Sequence, residues 1–419
     1  MIAAALLATA ITLHVSPNRL ASVGVDVPVV ESSVAVDPND PRHLVGVAIA
    51  GAEVGTRGCA TFLSRDGGAT WTSAWLPVKE CGDPWALIGP KQAIVAVLAA
   101  SPQLGVDDGL LIFRSADGGA TWPAPPANLG PYHDHDTLFA DLRNPAKARL
   151  YALASFAHRI ENGNLRGDVF LARSDDWISF PRITRITPSN LNMNTHAGVV
   201  LRDGTVAVVY ADFARWLKDP KKAWLERPRV WLTLSKDGGE TFAPPLLVAE
   251  GCSRQFPTMT VDPADDALYL VCSINDKSRV AVWRSRDRGE TWTTPLPVHE
   301  AVAGATVNGA NVAVGKNGTL LVSWQSETDA VRHCNALFAA ASADGGETFS
   351  KPMRVSDAAS CNATERNAKI LKRFEYGGDY YGLAADRDGV FHLIWSDSRN
   401  GVYQLWSASV TAESGAPHH

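Results

Sequence analysis

Two short stretches concentrate groups that can do chemistry: HDHD at His133–Asp136 and GGDYY at Gly377–Tyr381. The first alternates imidazoles with carboxylates, and the second sets Asp379 beside two phenols, Tyr380 and Tyr381. A free phenol ionises near pH ~10, so a tyrosine that attacks carbon needs a carboxylate nearby to draw off its proton. Crowded carboxylates shift one another's pKa and can divide general acid and base work, as in glycoside cleavage. Asp83, Asp136 and Asp379 are the candidates for that role. The same oxygens could take up a cation, or be ordinary polar lining bonded to loop backbone. Alternate residues of a strand share a face, which would pair His133 with His135 and Asp134 with Asp136. No further ligand cluster stands at a fixed spacing from HDHD, so no metal and no cofactor is expected.

What would bring these residues together is a repeat. SRDGGATW at Ser64 returns as SADGGATW at Ser115, SKDGGETF at Ser235, SRDRGETW at Ser285 and SADGGETF at Ser342, with a degenerate SDDWISF at Ser174. A recurrence every 50–61 residues suits a four-stranded antiparallel blade and is too long for a helix pair. Around the first copy, ESSVAVDP, HLVGVAIA, CATFLS and TWTSAWLPV read as successive strands; around the fifth, FPTMTVDP, ALYLVCS, VAVWRS and TWTTPLPV do the same. The motif falls in the hairpin between third and fourth strands. There Ser and Asp can bond backbone amides, glycine supplies positive φ, and Trp or Phe fills the space between sheets.

Composition agrees with a folded all-β chain. Of 419 residues, 46% are apolar and 20% charged, with 34 glycines and 13 tryptophans. A net charge of −5 gives no footprint for nucleic acid or an anionic membrane. After the sixth copy, YYGLAADRDG, VFHLIWSDSRNG and VYQLWSASV make three strands that lack a fourth. ITLHVSPNRLAS near the N-terminus can supply it and close the ring, so the fold expected is a β-propeller of seven four-stranded blades, with six as the alternative. The divisions are a signal-like apolar segment at 1–15, one propeller domain at 16–411 and a flexible tail at 412–419. The run Ile2–Leu13 is too short to span a bilayer. It resembles the apolar part of a secretion signal, with Ala8–Ala10 as a cleavage site, though positive residues ahead of it are missing. No other segment is apolar enough to span a membrane, and a secreted or periplasmic location is expected.

The S-x-D-G-G-x-T-[WF] copies resemble the Asp boxes, or BNR repeats, of the sialidase superfamily, and the resemblance covers the chain from about Glu31 to Val410. It implies function at the axial funnel opposite the boxes. There the strand starts offer Glu31, Asp83, His133–Asp136, His196, Gln255, Asn308, Asn311 and Gly377–Tyr381. GGDYY is similar to the late sialidase segment that carries a tyrosine nucleophile, which implies Tyr380 or Tyr381 in that role. Other features depart from that family. The Arg-Ile-Pro signature is absent, with only NRLAS at 18–22; residues 48–60 offer Glu53 and Arg57 but no Asp, and residues 72–92 hold no arginine. A rebuilt clamp would draw on Arg159, Arg254 or Arg399 with His196; Arg166, Arg215, Arg279, Arg332 and Arg373 share that face. An insertion at Tyr210–Trp231, rich in tryptophan and basic groups, offers either sugar-stacking aromatics or a short rim helix over Ala211–Lys218.

The six cysteines fall on the funnel side, and the blade layout selects Cys59–Cys81, Cys252–Cys272 and Cys334–Cys361; the alternative is six unpaired buried thiols. Three disulfides would imply an oxidising compartment. Together these features imply an exported, sialidase-like propeller that acts on or binds glycans, an exo-α-sialidase-like glycoside hydrolase if it is an enzyme. The alternative is a non-catalytic propeller that binds a glycan or protein partner.

Overall fold

Short apolar runs separated by tight turns pair with their sequence neighbours, and the chain does so seven times. The computed structural model describes residues 11–414, apart from 52–56, 103–104, 124, 132–133, 160–164, 188–192, 213–227, 253–256, 275–277 and 362–373. Seven antiparallel sheets form the blades of a propeller, six running from inner to outer strand in chain order and the seventh completed by an N-terminal strand. The inner strands are Val29–Val36, Lys79–Ile88, Asp134–Asp141, Met193–Val200, Thr258–Val261, Val307–Val314 and Gly382–Ala385, in blades 1 to 7. They neighbour one another around the axis, and the last lies against the first.

The ring closes through the N-terminal segment. Ile11–Val15 pairs with Gln404–Ser414, the third strand of blade 7, setting Ile11 opposite Ser414 and Val15 opposite Val410. Arg19–Leu20 pairs farther along the same strand. One blade thus joins both ends of the chain and closes the ring. The closing strands reach into both stretches set apart in the sequence: Ile11–Val15 lies within 1–15, and the last strand runs to Ser414.

Apolar burial is concentrated between blades. Seven hydrophobic clusters occur among the described residues, one at each blade junction; one joins Val45, Val47 and Ile49 of blade 1 to Val95, Leu111 and Phe113 of blade 2. Alternation explains this, because each strand sends odd residues to one neighbour and even residues to the other.

The repeated turn makes the same bonds wherever it occurs. Ser64 Oγ donates to Asp66 Oδ1 at 2.8 Å and accepts from the Gly68 N–H at 2.9 Å. Asp66 accepts from the N–H and the hydroxyl of Thr70. The copies at Ser115, Ser235, Ser285 and Ser342 repeat this set. In the degenerate copy Trp177 takes the first glycine's position at φ +63°, and its indole donates to Ala148 O.

All three expected disulfides are present: Cys59–Cys81, Cys252–Cys272 and Cys334–Cys361. The first ties the third strand of blade 1 to the inner strand of blade 2. In the insertion, Ala211 and Asp212 belong to the strand Val206–Asp212, so a helix does not start there; residues 213–227 lie outside the described residues.

Candidate active site

The inner strands share an irregularity near the funnel face. Pairing slips by a residue between Val30 and Ser32, and again between Asp134 and Asp136. It also slips between Gly82 and Trp85, between Thr195 and Ala197, and between Asn308 and Asn311. The residues in these bulges are Glu31, His135, Asp83, His196 and Gly309. Glu31, Asp83 and His135 adopt φ of +48°, +44° and +47°. Such a conformation costs a residue with a Cβ on the order of 1–3 kcal/mol and persists only where the surroundings enforce it. A bulge re-aims a side chain that strict alternation would send into a blade junction.

Glu31, Asp83 and His135 meet around Tyr380. Asp83 Oδ2 accepts the His135 N–H at 2.8 Å, and Asp83 Oδ1 lies 3.5 Å from the donating hydroxyl of Tyr380. The His135 ring meets the Tyr380 ring edge-on at 5.4 Å, and Trp85 lies tilted 6.3 Å from it. The Asp379 N–H donates to Glu31 Oε1 at 3.3 Å. The double glycine of GGDYY makes that approach feasible: Gly378 sits at φ +119°, and a Cβ there would lie 2.3 Å from Glu31 Cγ. Blades 1, 2, 3 and 7 therefore join Glu31, Asp83, His135, Asp136, Asp379 and Tyr380 in one cluster.

Its electrostatics follow from burial and like charge. Burial pushes the Tyr380 phenol well above its usual range, and Glu31, Asp83, Asp136 and Asp379 push it further. Asp136 is 1% exposed, and neither carboxyl oxygen has a hydrogen-bond partner among the described residues. Burial, then the charge of Asp83, raises it well above an ordinary carboxyl. Burial lowers His135, against the pull of Asp83 and Asp379. The inner wall thus sets a carboxyl raised from its ordinary range and an imidazole lowered from its own behind a half-buried phenol and Asp83.

Four residues read from the sequence as catalytic, Asp83, Asp136, Asp379 and Tyr380, come together here. Tyr381 does not join them: it is buried at the junction of blades 6 and 7, its hydroxyl 2.8 Å from Ser323 Oγ. Arg399 is committed elsewhere, bonded to Asp397, Asp357 and Asn18 and lying over the Trp406 ring at 4.1 Å. Arg159 and His196 occupy the strands Arg149–Arg159 and Met193–Val200, and Arg254 lies outside the described residues. The alternation read from HDHD breaks at the His135 bulge, and Asp134 instead accepts from Asn194 Nδ2 at 2.8 Å; His133 lies outside the described residues. Sequence reasoning placed Glu31 and His135 at the funnel without tying them to Tyr380, and missed Trp85. Their position at strand starts was the available signal, but the bulges that aim them were not visible.

No protein-family model and no curated protein matches this sequence. Among solved structures, a protein of unknown function from Dyadobacter fermentans DSM 18053 is similar at a TM-score of 0.54 and 14% identity, over 96% of this chain and 99% of that one. A Trypanosoma rangeli sialidase in complex with sialic acid gives 0.46 at 13% identity; the match covers 94% of this chain and 59% of the sialidase. The α-L-arabinofuranosidase Arb93A from Fusarium graminearum gives 0.47 at 13%, over 76% of this chain and 93% of that one. The likeness to the Dyadobacter protein is one of fold alone.

Proposed function

We propose that the axial cluster acts on glycans, with Tyr380 as nucleophile and Asp83 as the base that accepts its proton. The observation that carries this reading is the Tyr380 hydroxyl set 3.5 Å from Asp83 Oδ1 within a shell of carboxylates. In the first step the phenolic oxygen bonds to the anomeric carbon while its proton passes to Asp83. The bond to the leaving oxygen breaks, and that oxygen takes a proton from solvent. Water then bonds to the carbon and releases a proton to solvent, and the released phenolate recovers its own from Asp83.

The resemblance of the repeated turns to Asp boxes supports a sialidase-like ancestry. Three disulfides support an oxidising, extracytoplasmic location. Cleavage after Ala10 would keep Ile11–Val15, which pairs with the last strand, in the mature chain. A second reading, a propeller that only binds a glycan or protein partner, draws on the same shell. Four acids hold the phenol protonated, which suits a hydrogen-bond donor as well as a nucleophile.

A panel of fluorogenic glycosides, sialosides included, separates the readings when run on oxidised wild-type protein beside Tyr380→Phe. Release from one glycoside that is lost in the variant supports the nucleophile assignment. Release that survives in Tyr380→Phe places the chemistry elsewhere, and silence across the panel favours binding alone.

A further inference from the structure

The buried carboxyl of Asp136 raises a question that hydrolysis leaves open. A carboxyl with 1% exposure and two oxygens lacking partners among the described residues is costly, and natural interiors seldom retain one unless something else satisfies it. The charge that bears on it is that of Asp83, which has the same sign and deepens the deficit. The deficit extends to Tyr380, whose strongest charged neighbours, Glu31, Asp83, Asp136 and Asp379, all oppose formation of a phenolate. A nucleophilic tyrosine in this shell needs positive charge close by while its proton leaves.

Metal is a poor source of that charge. Among the described residues no three His, Cys, Asp or Glu side chains are grouped to hold one metal ion. An ammonium has smaller demands, since its donors each need one acceptor oxygen at roughly 2.7–2.9 Å and not a closed coordination shell. The Tyr380 and Trp85 rings, 6.3 Å apart, add π faces that attract a cation.

We propose that the ligand of this site carries a primary ammonium, on an amino sugar that is not N-acetylated, and that this group sits beside Tyr380 between the carboxyls of Asp83 and Asp136. The inference rests on the glycan reading and narrows it to cationic sugars. It also gives the substrate a part in the chemistry, because the bound ammonium offsets the four acids that hold the phenol protonated. Asp136 gives up its proton when the cation docks. The groups that bear on Asp136 are Asp83 on blade 2 and Tyr380 on blade 7, with His135 next to it in sequence; Glu31 and Asp379 bear on Tyr380.

Isothermal titration of the intact, oxidised protein tests this with two probes, a glucosamine hexamer and its fully N-acetylated counterpart. The expected result is roughly tenfold or greater preference for the free amine, as for a buried charge-assisted contact. A heat that varies with buffer ionisation would show release of a proton. Asp136→Asn should lose both the preference and the proton release; should that variant fail to fold, the comparison of probes on wild type decides alone. Equal affinity, or preference for the acetylated sugar, overturns the ammonium inference and leaves the glycan reading standing. No binding of either probe, joined to silence in the glycoside panel, removes both.

Discussion

The two faces of this propeller are built on opposite terms. On the face with the repeated turns, each Asp accepts hydrogen bonds and is held acidic by them. Asp237 is drawn down to about 2 by the Thr241 hydroxyl and N–H, then by the Ser235 hydroxyl. Asp287 is drawn to about 2 in the same way by Thr291 and Ser285. Neighbouring blades are also laced together there: His43 contacts Gly118 O at 2.7 Å, and the guanidinium of Arg284 donates to Gly345 O at 2.6 Å. On the axial face, carboxylates crowd each other and Asp136 has no partner among the described residues, while positive φ at residues with a Cβ occurs on both faces, at Glu31, Asp83 and His135 here and at Trp177 and Arg288 in the turns. One face repeats a satisfied arrangement; the other gathers different residues into like-charge repulsion. On the proposed function, stability and chemistry fall to separate ends of the same strands.

The largest test of that division is Asp83→Asn. The amide oxygen can still accept the His135 N–H, so the bulge keeps its bond, while the carboxylate proposed to take the Tyr380 proton is gone. Turnover of whichever glycoside the panel identifies should fall on the order of 10²–10⁴-fold, the usual worth of a general base. The unfolding midpoint should hardly move. A variant that unfolds readily yet keeps its specific activity would make the axial face part of the scaffold, and the comparison would collapse.

The next effect is read from stability against pH. Asp136 has a folded pKa raised above its unfolded value, so its contribution is full below about pH 4 and is lost as pH rises toward the folded pKa. The loss approaches ~1.4 kcal/mol per pH unit while the folded carboxyl keeps its proton. His135 works the other way, since its lowered pKa removes stability as pH falls below about 6.5. Comparison of wild type with Asp136→Asn cancels the histidine. The difference should widen in favour of the variant from pH 4 upward, measured as urea midpoints across the range. Parallel curves would mean that Asp136 is ionised and satisfied in the folded protein.

The sequence revealed the satisfied face far better than the crowded one. Its turn chemistry is local: Ser, Asp, Gly and Thr within one octapeptide make the bonds, so six copies, one of them degenerate, marked six blades and their strand order, and the strands after the last copy with ITLHVSPNRLAS pointed to the seventh. Axial residues come from four blades and meet only because bulges turn them. No pattern in VVESS or CGDPW announces that Glu31 and Asp83 will adopt positive φ. Period-two reasoning misled at HDHD for the same reason, and it could not choose between Tyr380 and Tyr381, of which one faces the axis and the other a blade junction. Arg399 was avoidable. In DSRN its guanidinium bonds Asp397 two residues before, as Arg143 bonds Asp141 in DLRN, and a cation so placed is already neutralised.

The smallest effect belongs to a single turn. Asp237 is exposed, so solvent screens it, and Asp237→Asn should cost under ~1 kcal/mol at pH 7 with activity unchanged. Its sign with pH is opposite to that of Asp136. A carboxyl held near 2 stabilises the fold above its unfolded pKa near ~3.9, and that contribution disappears as pH falls from there to about 2. The wild type and Asp237→Asn should therefore converge in acid, where wild type and Asp136→Asn also converge, and separate in opposite directions above pH 4. Because the turn recurs, several such substitutions combined should add nearly independently, their sites lying on different blades. Activity that falls in step with stability through that series would show that the turns act on the funnel, and that the two faces are not independent.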